Sequence, residues 1–252
     1  MNIRTATSST SYHTPKNNMI KGIIFDYGGT LDSRGIHWSE VLWQGYQQAG
    51  VPIDKETFRT AYVEGERALA RERIILPQDD FHTLLRKKVA LEISYLPEQP
   101  DAATRERWTD QIAAYCDNAA RACINEARPM LEQLHERYPM MLVSNFYGNI
   151  DEVLRAYGIR HLFKGIIESA VVGVRKPNPT LFRLGVDALE LQPDEVLVVG
   201  DSLRKDIEPA ERLGCHVLWL KGKGWTEEED LQTHPNTITR ITQVSEKLGL
   251  RS

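Results

Sequence analysis

Short apolar runs, each followed by polar residues and then by a helical pattern, recur along this chain. They lie at residues 20–25, 140–143, 165–168, 196–199 and 217–220. Runs of this length that alternate with helices are typical of parallel strands joined by helical crossovers on both faces of a sheet. The pattern therefore predicts an α/β fold with a doubly wound, Rossmann-like parallel sheet.

Residues 35–125 show a different pattern: they carry successive amphipathic helical repeats, and no convincing strand occurs among them. Proline followed by aspartate marks three helix starts, at 52–54, 77–80 and 97–101. Both residue types are favoured at the beginning of a helix. The stretch is therefore predicted to be an all-helical domain inserted after the first strand of the sheet.

The chain after residue 125 returns to alternating strands and helices, beginning with a helix predicted at 129–138. The amino-terminal segment is polar, rich in Ser and Thr, and carries no periodicity. The expected organisation is a disordered polar tail at 1–19, a core domain formed by 20–34 and 126–252, and a helical cap domain at 35–125.

The charge balance and the cysteine content exclude several classes of protein. Lys and Arg total 31 and Asp and Glu total 35, for a formal net charge of −4. A dedicated nucleic-acid binder usually shows a strongly basic face, so no nucleic-acid partner is expected. No apolar stretch approaches the roughly 20 residues of a membrane-spanning helix, so no membrane partner is expected. The three cysteines are odd in number and irregularly spaced, which is typical of reduced thiols in a cytoplasmic protein.

Polar side chains follow three of the predicted strands. They are Asp26 with Thr30, Ser144 with Asn145, and Asp201. Ligands of open parallel sheets bind beyond the carboxyl ends of the strands, where these side chains and the loop cation Lys176 would converge. Two carboxylates, several uncharged donors and one ammonium group suit a hard cation together with an anionic substrate. Phosphoryl transfer is the natural candidate, because it needs mainly positioning and charge neutralisation.

These residues fall into four segments whose order and placement match a known family. The segments are 26–32, 144–145, 175–179 and 200–202, with Asp206 following the last. Over about residues 20–220 the sequence resembles the haloacid dehalogenase superfamily, whose members are mostly Mg²⁺-dependent phosphatases. The helical insertion occurs where that family carries its helical cap.

The resemblance implies a role for each matching residue. Asp26 would be the nucleophile that forms an aspartyl-phosphate, and Lys176 would pair with both the nucleophile and the phosphoryl oxygens. The remaining contacts to the transferring phosphoryl group would come from Gly28, Gly29, Thr30, Ser144 and Asn145.

The resemblance also implies a metal site. Mg²⁺ would be bound by Asp26, Asp201 and the backbone carbonyl of Gly28. Asp206 would orient the groups around the metal.

One position departs from the pattern of the family's phosphatases, which usually carry an acid/base aspartate two residues after the nucleophile. Gly28 stands there in this chain. Glycine can neither protonate a leaving group nor activate water, so hydrolysis is expected to be slow unless Asp32 or His37 substitutes.

The expected function is hydrolysis of a small phosphorylated metabolite. A catalytically degenerate relative that binds a phosphorylated ligand or a partner stays open as an alternative. A hydrolase resembling the phosphonate-cleaving or dehalogenase branches also stays open. The phosphonate-cleaving branch uses a cap lysine, but Lys87 and Lys88 are expected to be a solvated pair.

Overall fold

The computed structural model describes residues 19–250, and within them six strands form one fully parallel sheet. The strands are β1 Gly22–Phe25, β2 Met140–Ser144, β3 Gly165–Glu168, β4 Val196–Gly200, β5 His216–Leu220 and β6 Thr237–Ile238. Their order across the sheet is β3-β2-β1-β4-β5-β6. The chain leaves β1 toward β2 on one side and returns to β4 on the other. The crevice at the carboxyl end of β1 is therefore the place where such a sheet binds ligands.

Ten α-helices accompany the strands within the described residues. Four lie between β1 and β2: α1 Trp38–Gln48, α2 Lys55–Arg71, α3 Phe81–Ser94 and α4 Ala102–His135. The others are α5 Ile150–Ala156, α6 Ser169–Val172, α7 Thr180–Leu189, α8 Glu208–Leu213, α9 Glu227–Leu231 and α10 Gln243–Lys247. We call α1–α4, residues 38–135, the helical insertion. None of the helices in residues 19–250 is both long and apolar enough to cross a membrane.

Both faces of the sheet are covered by helices, which confirms the predicted doubly wound α/β fold. Ile23 and Phe25 of β1 belong to the hydrophobic cluster that also contains α4 and α5. Ile24 points to the other face, where it joins Phe182 of α7 and Ala210 of α8. Successive side chains of a strand alternate between faces, so a strand buried on both sides must be apolar throughout.

The three predicted helix starts in the insertion are confirmed, each by an aspartate that caps the helix. Asp54, Asp80 and Asp101 accept hydrogen bonds from backbone N–H groups three residues later, at 2.8, 2.8 and 2.9 Å. These bonds satisfy N–H groups that have no partner inside the helix.

The helix predicted to begin at Pro129 does not begin there. Pro129 lies inside α4, a continuous helix of 34 residues. Proline lacks an N–H, and in a helix interior it costs about 3 kcal/mol. Burial of the apolar side chains Leu131 and Leu134, both fully inaccessible, offsets that cost. The division into a core and a cap at residues 125–126 stays a prediction. Most of the predicted tail, residues 1–18, lies outside the described residues.

Candidate active site

Asp26 stands at the carboxyl end of β1, buried to 5% exposure. Its Oδ1 atom accepts hydrogen bonds from Ser144 Oγ at 3.0 Å and from Lys176 Nζ at 2.5 Å. The hydroxyl of Thr30 lies 3.2 Å from Asp26 Oδ2 and 3.0 Å from Asp201 Oδ1. Oδ2 therefore keeps lone pairs that are free to attack a substrate or to bind a cation.

Lys176 joins two carboxylates in the interior of the site. Its Nζ atom lies 2.5 Å from Asp26 Oδ1 and 2.7 Å from Asp206 Oδ1, and the lysine is buried. Burial lowers the pKa of Lys176, but the two carboxylates outweigh that effect and raise the pKa above its usual value. The ammonium group is therefore charged at neutral pH.

Three carboxylates crowd this end of the sheet. Oxygen atoms of Asp26, Asp201 and Asp206 all lie within 4.8 Å of one another. Burial first, and then repulsion by Asp206 and Asp26, raise the pKa of Asp201 well above its usual value. A divalent cation would relieve this repulsion, and carboxylate oxygens are ligands that Mg²⁺ accepts. The donor set therefore fits the predicted metal.

Asp206 differs from the other two carboxylates, because both of its oxygens already have partners. Oδ1 contacts Lys176, and Oδ2 accepts from the backbone N–H of Ser202 at 3.0 Å. This arrangement suits a residue that orients Lys176 rather than one that binds a cation directly.

The Asn145 side chain holds the main chain of Lys176. Its Oδ1 atom accepts from Lys176 N–H at 2.9 Å, and its Nδ2 atom donates to Lys176 O at 3.2 Å. The pair of bonds fixes the loop that carries the lysine. A direct contact between Asn145 and a phosphoryl group stays a prediction.

A cavity of about 1670 Å³ lies between the carboxyl edge of the sheet and the helical insertion. The predicted site residues that line it are Asp26, Gly28, Gly29, Ser144, Asn145, Lys176, Asp201 and Asp206. Thr30 is buried beneath Asp26 and Asp201. The structure thus brings together all the residues that the four sequence segments indicated.

Residues 20–214 match the family described as haloacid dehalogenase-like hydrolase. The chain belongs to that family, and it is a hydrolase. Among its relatives is a glyceraldehyde 3-phosphate phosphatase of Pyrococcus abyssi, 30% identical over 81% of this chain and 82% of the relative. A phosphoglycolate phosphatase of Pectobacterium atrosepticum is 28% identical over 91% of this chain and 93% of the relative. These matches confirm the resemblance on which the residue roles were based.

Solved structures of the family share the fold. A HAD-hydrolase of Bacillus subtilis bound to magnesium has a TM-score of 0.55 and 18% identity, covering 92% of this chain and 100% of its own. A 2-haloacid dehalogenase of Pseudomonas syringae has a TM-score of 0.51 and 20% identity, covering 92% of this chain and 99% of its own. At these identities the likeness concerns the fold alone.

Gly28, two residues after Asp26, faces open space. A Cβ atom built there would meet nothing closer than Trp38 Cδ1, at 4.0 Å. Gly29 is different, because its φ is +97° and a Cβ there would lie 2.4 Å from the Asp201 carboxylate. Only the second glycine is required by the backbone and by close packing.

Asp32 holds the loop rather than facing the cavity. Its Oδ1 accepts from Gly29 N–H at 2.8 Å and its Oδ2 accepts from Trp38 Nε1 at 3.0 Å. Burial raises the pKa of Asp32 to about 8, although these hydrogen bonds oppose the rise. The cavity walls formed by residues 19–250 include Trp38 but not Asp32. Asp32 therefore positions the indole beside Gly28, a role that the sequence motifs did not indicate.

His37 lines the cavity at the start of α1. Its Nδ1 accepts from the backbone N–H of Ser39 at 3.3 Å, and its ring packs against Tyr62 and Trp225. Burial first, and then the nearby Lys205, lower the pKa of His37 to about 4. The imidazole is therefore neutral at pH 7 and caps the helix in that form.

Acidification is expected to destabilise the protein through His37. Its pKa is 6.5 in the unfolded chain and about 4 in the folded protein, so unfolding takes up a proton between these values. Stability should fall as the pH drops through this window, by at most about 1.4 kcal/mol per pH unit. His37→Asn keeps a capping oxygen but cannot titrate. Between pH 7 and pH 5, the melting temperature should fall less in the variant than in the wild-type protein. Equal falls in the two proteins would contradict the lowered pKa of His37.

Lys87 and Lys88 are not a solvated pair, contrary to the prediction. Lys88 is 4% exposed, lines the cavity and contacts Glu66 and, at 3.3 Å, Glu92. Lys87 donates to Asp79 at 2.5 Å. The reason is that α3 packs between α2 and α4, so the face of the helix that carries Lys88 turns inward.

Proposed function

We propose that this hydrolase is a Mg²⁺-dependent phosphatase that acts on a small phosphorylated metabolite through an aspartyl-phosphate on Asp26. The supporting observation is the Asp26 carboxylate at the cavity floor, where Ser144 and Lys176 hold Oδ1 and the Thr30 hydroxyl lies 3.2 Å from Oδ2. Relatives named as phosphatases over most of this chain's length support the same reaction class.

The first step would be attack of Asp26 Oδ2 on phosphorus. Lys176 already contacts the nucleophile, and its remaining N–H bonds can bind phosphoryl oxygens as charge builds up on them. The Ser144 hydroxyl can turn from Asp26 Oδ1 to the same oxygens. Because the lysine and the aspartate are both buried, these interactions act where water screens them little.

The metal would be held by Asp26 and Asp201, with a further contact from the Gly28 carbonyl. When bound, Mg²⁺ supplies positive charge that stabilises the transferring phosphoryl group. Asp206 would keep Lys176 in place, since it accepts from both that lysine and the Ser202 backbone.

A degenerate member that binds a phosphorylated ligand with little turnover is the second candidate. Gly28 favours it, because no carboxyl group stands where the family's phosphatases supply the acid and the base. Both candidates need the phosphate and metal site, and they differ only in turnover.

Mg²⁺ together with beryllium fluoride, which mimics a phosphorylated aspartate, is expected to raise the melting temperature by roughly 5–10 °C at about 100 times its Kd. Asp201→Asn should abolish most of this shift, because it removes a charged ligand while keeping the size of the side chain. Thermal unfolding with and without each component measures the effect.

Asp187→Asn is the matched control, because Asp187 is an exposed residue of α7 whose side chain pairs, among residues 19–250, with Arg183 alone. This control should keep the full shift. A shift that persists in Asp201→Asn would contradict the metal site.

A further inference from the structure

Five cations that line the cavity have no side-chain partner within residues 19–250. Arg71 and Arg73 lie at the end of α2, on the side of the helical insertion. The other three, Arg175, Arg204 and Lys205, lie next to the candidate active site, and we call them the rim cations. All three are exposed, and within residues 19–250 their side chains form no hydrogen bond or ion pair. Arg175 precedes Lys176, and the other two lie in the short helical turn Leu203–Ile207 that follows Asp201 and contains Asp206. All three therefore belong to the segments that carry the acidic cluster and Lys176. Lys205 lies close enough to His37 to lower the pKa of that histidine.

The rim cations supply more positive charge than a phosphate monoester needs for neutralisation. Asp26, Asp201, Asp206 and Lys176 together carry a formal charge of −2, which one Mg²⁺ would neutralise. A monoester then brings about two negative charges, whereas two linked phosphates bring about three or four. The three positive charges of the rim match the larger anion better.

The leaving group must also depart without a proton from residue 28. Gly28 has no acidic group, and the space beside it holds only the Trp38 indole. Asp32, the nearest carboxyl group in the same loop, is committed to Gly29 and Trp38. An alcohol leaves poorly as an alkoxide, but a phosphate is a stable anion near neutral pH and needs no proton.

We propose that the substrate is a phosphoanhydride, and that Arg175, Arg204 and Lys205 bind the phosphate that leaves. This rests on the proposed function, of which it names the substrate class. An oxygen of Asp26 bonds to the terminal phosphorus, the bridging P–O bond breaks, and its electron pair departs on the leaving phosphate. Water then attacks phosphorus, the bond to Asp26 breaks, and a proton of that water passes to the released phosphate. One anhydride and one water thus give two phosphate groups.

The test compares substrates in excess Mg²⁺: inorganic pyrophosphate, ADP, glycerol 1-phosphate and p-nitrophenyl phosphate. We expect kcat/KM for pyrophosphate or ADP to exceed that for glycerol 1-phosphate by about 100-fold or more, the range of acid catalysis that the site lacks. Turnover of pyrophosphate without turnover of ADP would indicate that the substrate is an inorganic anhydride. Turnover of ADP would indicate that the substrate is a nucleotide.

The rim is tested by the triple variant Arg175→Gln, Arg204→Gln, Lys205→Gln. Relative to the wild-type enzyme, the variant should lose kcat/KM for the anhydride and keep more of its kcat/KM for p-nitrophenyl phosphate, whose leaving group carries no second phosphate. The loss for the anhydride should be at least about tenfold larger than the loss for p-nitrophenyl phosphate. The matched control Arg137→Gln, Lys164→Gln, Lys247→Gln removes three exposed charges from outside the cavity and should not change that ratio.

Binding gives a second readout, independent of turnover. Imidodiphosphate, an uncleaved analogue of pyrophosphate, should raise the melting temperature more than inorganic phosphate does, and the rim variant should lose that difference. Turnover of monoesters without anhydrides, or equal losses on all substrates, would overturn this proposal alone. Failure to hydrolyse any of the four substrates would overturn the proposed function and this proposal with it.

Discussion

Asp26→Asn is expected to lower kcat toward p-nitrophenyl phosphate by roughly 10⁴–10⁶-fold, the range seen when a covalent nucleophile is removed. The amide keeps the size of the carboxylate, and its oxygen can still accept from Ser144 and Lys176. Lys176 also keeps its contact with Asp206, at 2.7 Å. The variant should therefore fold while losing the attacking oxygen.

Intact-protein mass spectrometry of acid-quenched enzyme gives the matching test. The wild-type protein should carry one phosphoryl group during turnover, because Gly28 leaves water without a base and slows breakdown of the aspartyl-phosphate. Asp26→Asn should carry none, and Asp187→Asn should behave as wild type. Activity of Asp26→Asn within tenfold of wild type would rule out Asp26 as the nucleophile.

Gly28→Asp is expected to raise kcat toward alkyl phosphates such as glycerol 1-phosphate by about 10²–10⁴-fold, the usual range for general acid–base catalysis. The new carboxyl group can protonate the leaving oxygen in the first step and activate water in the second. A Cβ at residue 28 has 4.0 Å of clearance to Trp38, so the substitution begins in open space. An aryl phosphate should gain less, because its leaving group departs without a proton.

Gly28→Asn is the matched control, because it has the same size but no proton to exchange. It should show no gain on either substrate. A wild-type enzyme that hydrolyses alkyl phosphates as fast as Gly28→Asp would contradict the prediction. His37, which lines the cavity, would then be the first candidate for the acid and base.

Local patterns were enough to predict the layers and the main elements. The apolar runs of β1, β2, β4 and β5 are continuous because both faces of the sheet are buried, and that requirement is visible in each run by itself. The aspartates that cap α2, α3 and α4 act within one helical turn, so their positions also follow from short segments. Strand β6 has two residues and carried too little pattern to be found.

The candidate site was predictable because parallel strands bring their carboxyl ends to one edge. Once Asp26, Ser144 and Asp201 were placed after strands of one sheet, their convergence followed from the fold, and Lys176 joins them in the structure. The direction in which individual side chains point did not follow from the fold. Asn145 turns toward the Lys176 backbone, a contact between residues 31 positions apart that neither segment reveals.

The amino-acid sequence alone thus specified the sheet, the capped helices and the chemical groups at the sheet edge, because each depends on interactions within a few residues or on one rule of topology. Tertiary packing decided that α4 runs through Pro129, that Lys88 is buried between Glu66 and Glu92, and that Asp32 faces Trp38 instead of the cavity. These outcomes depend on which neighbours a helix face or loop meets. The energy that offsets an interior proline or a buried charge comes from residues far away in the chain.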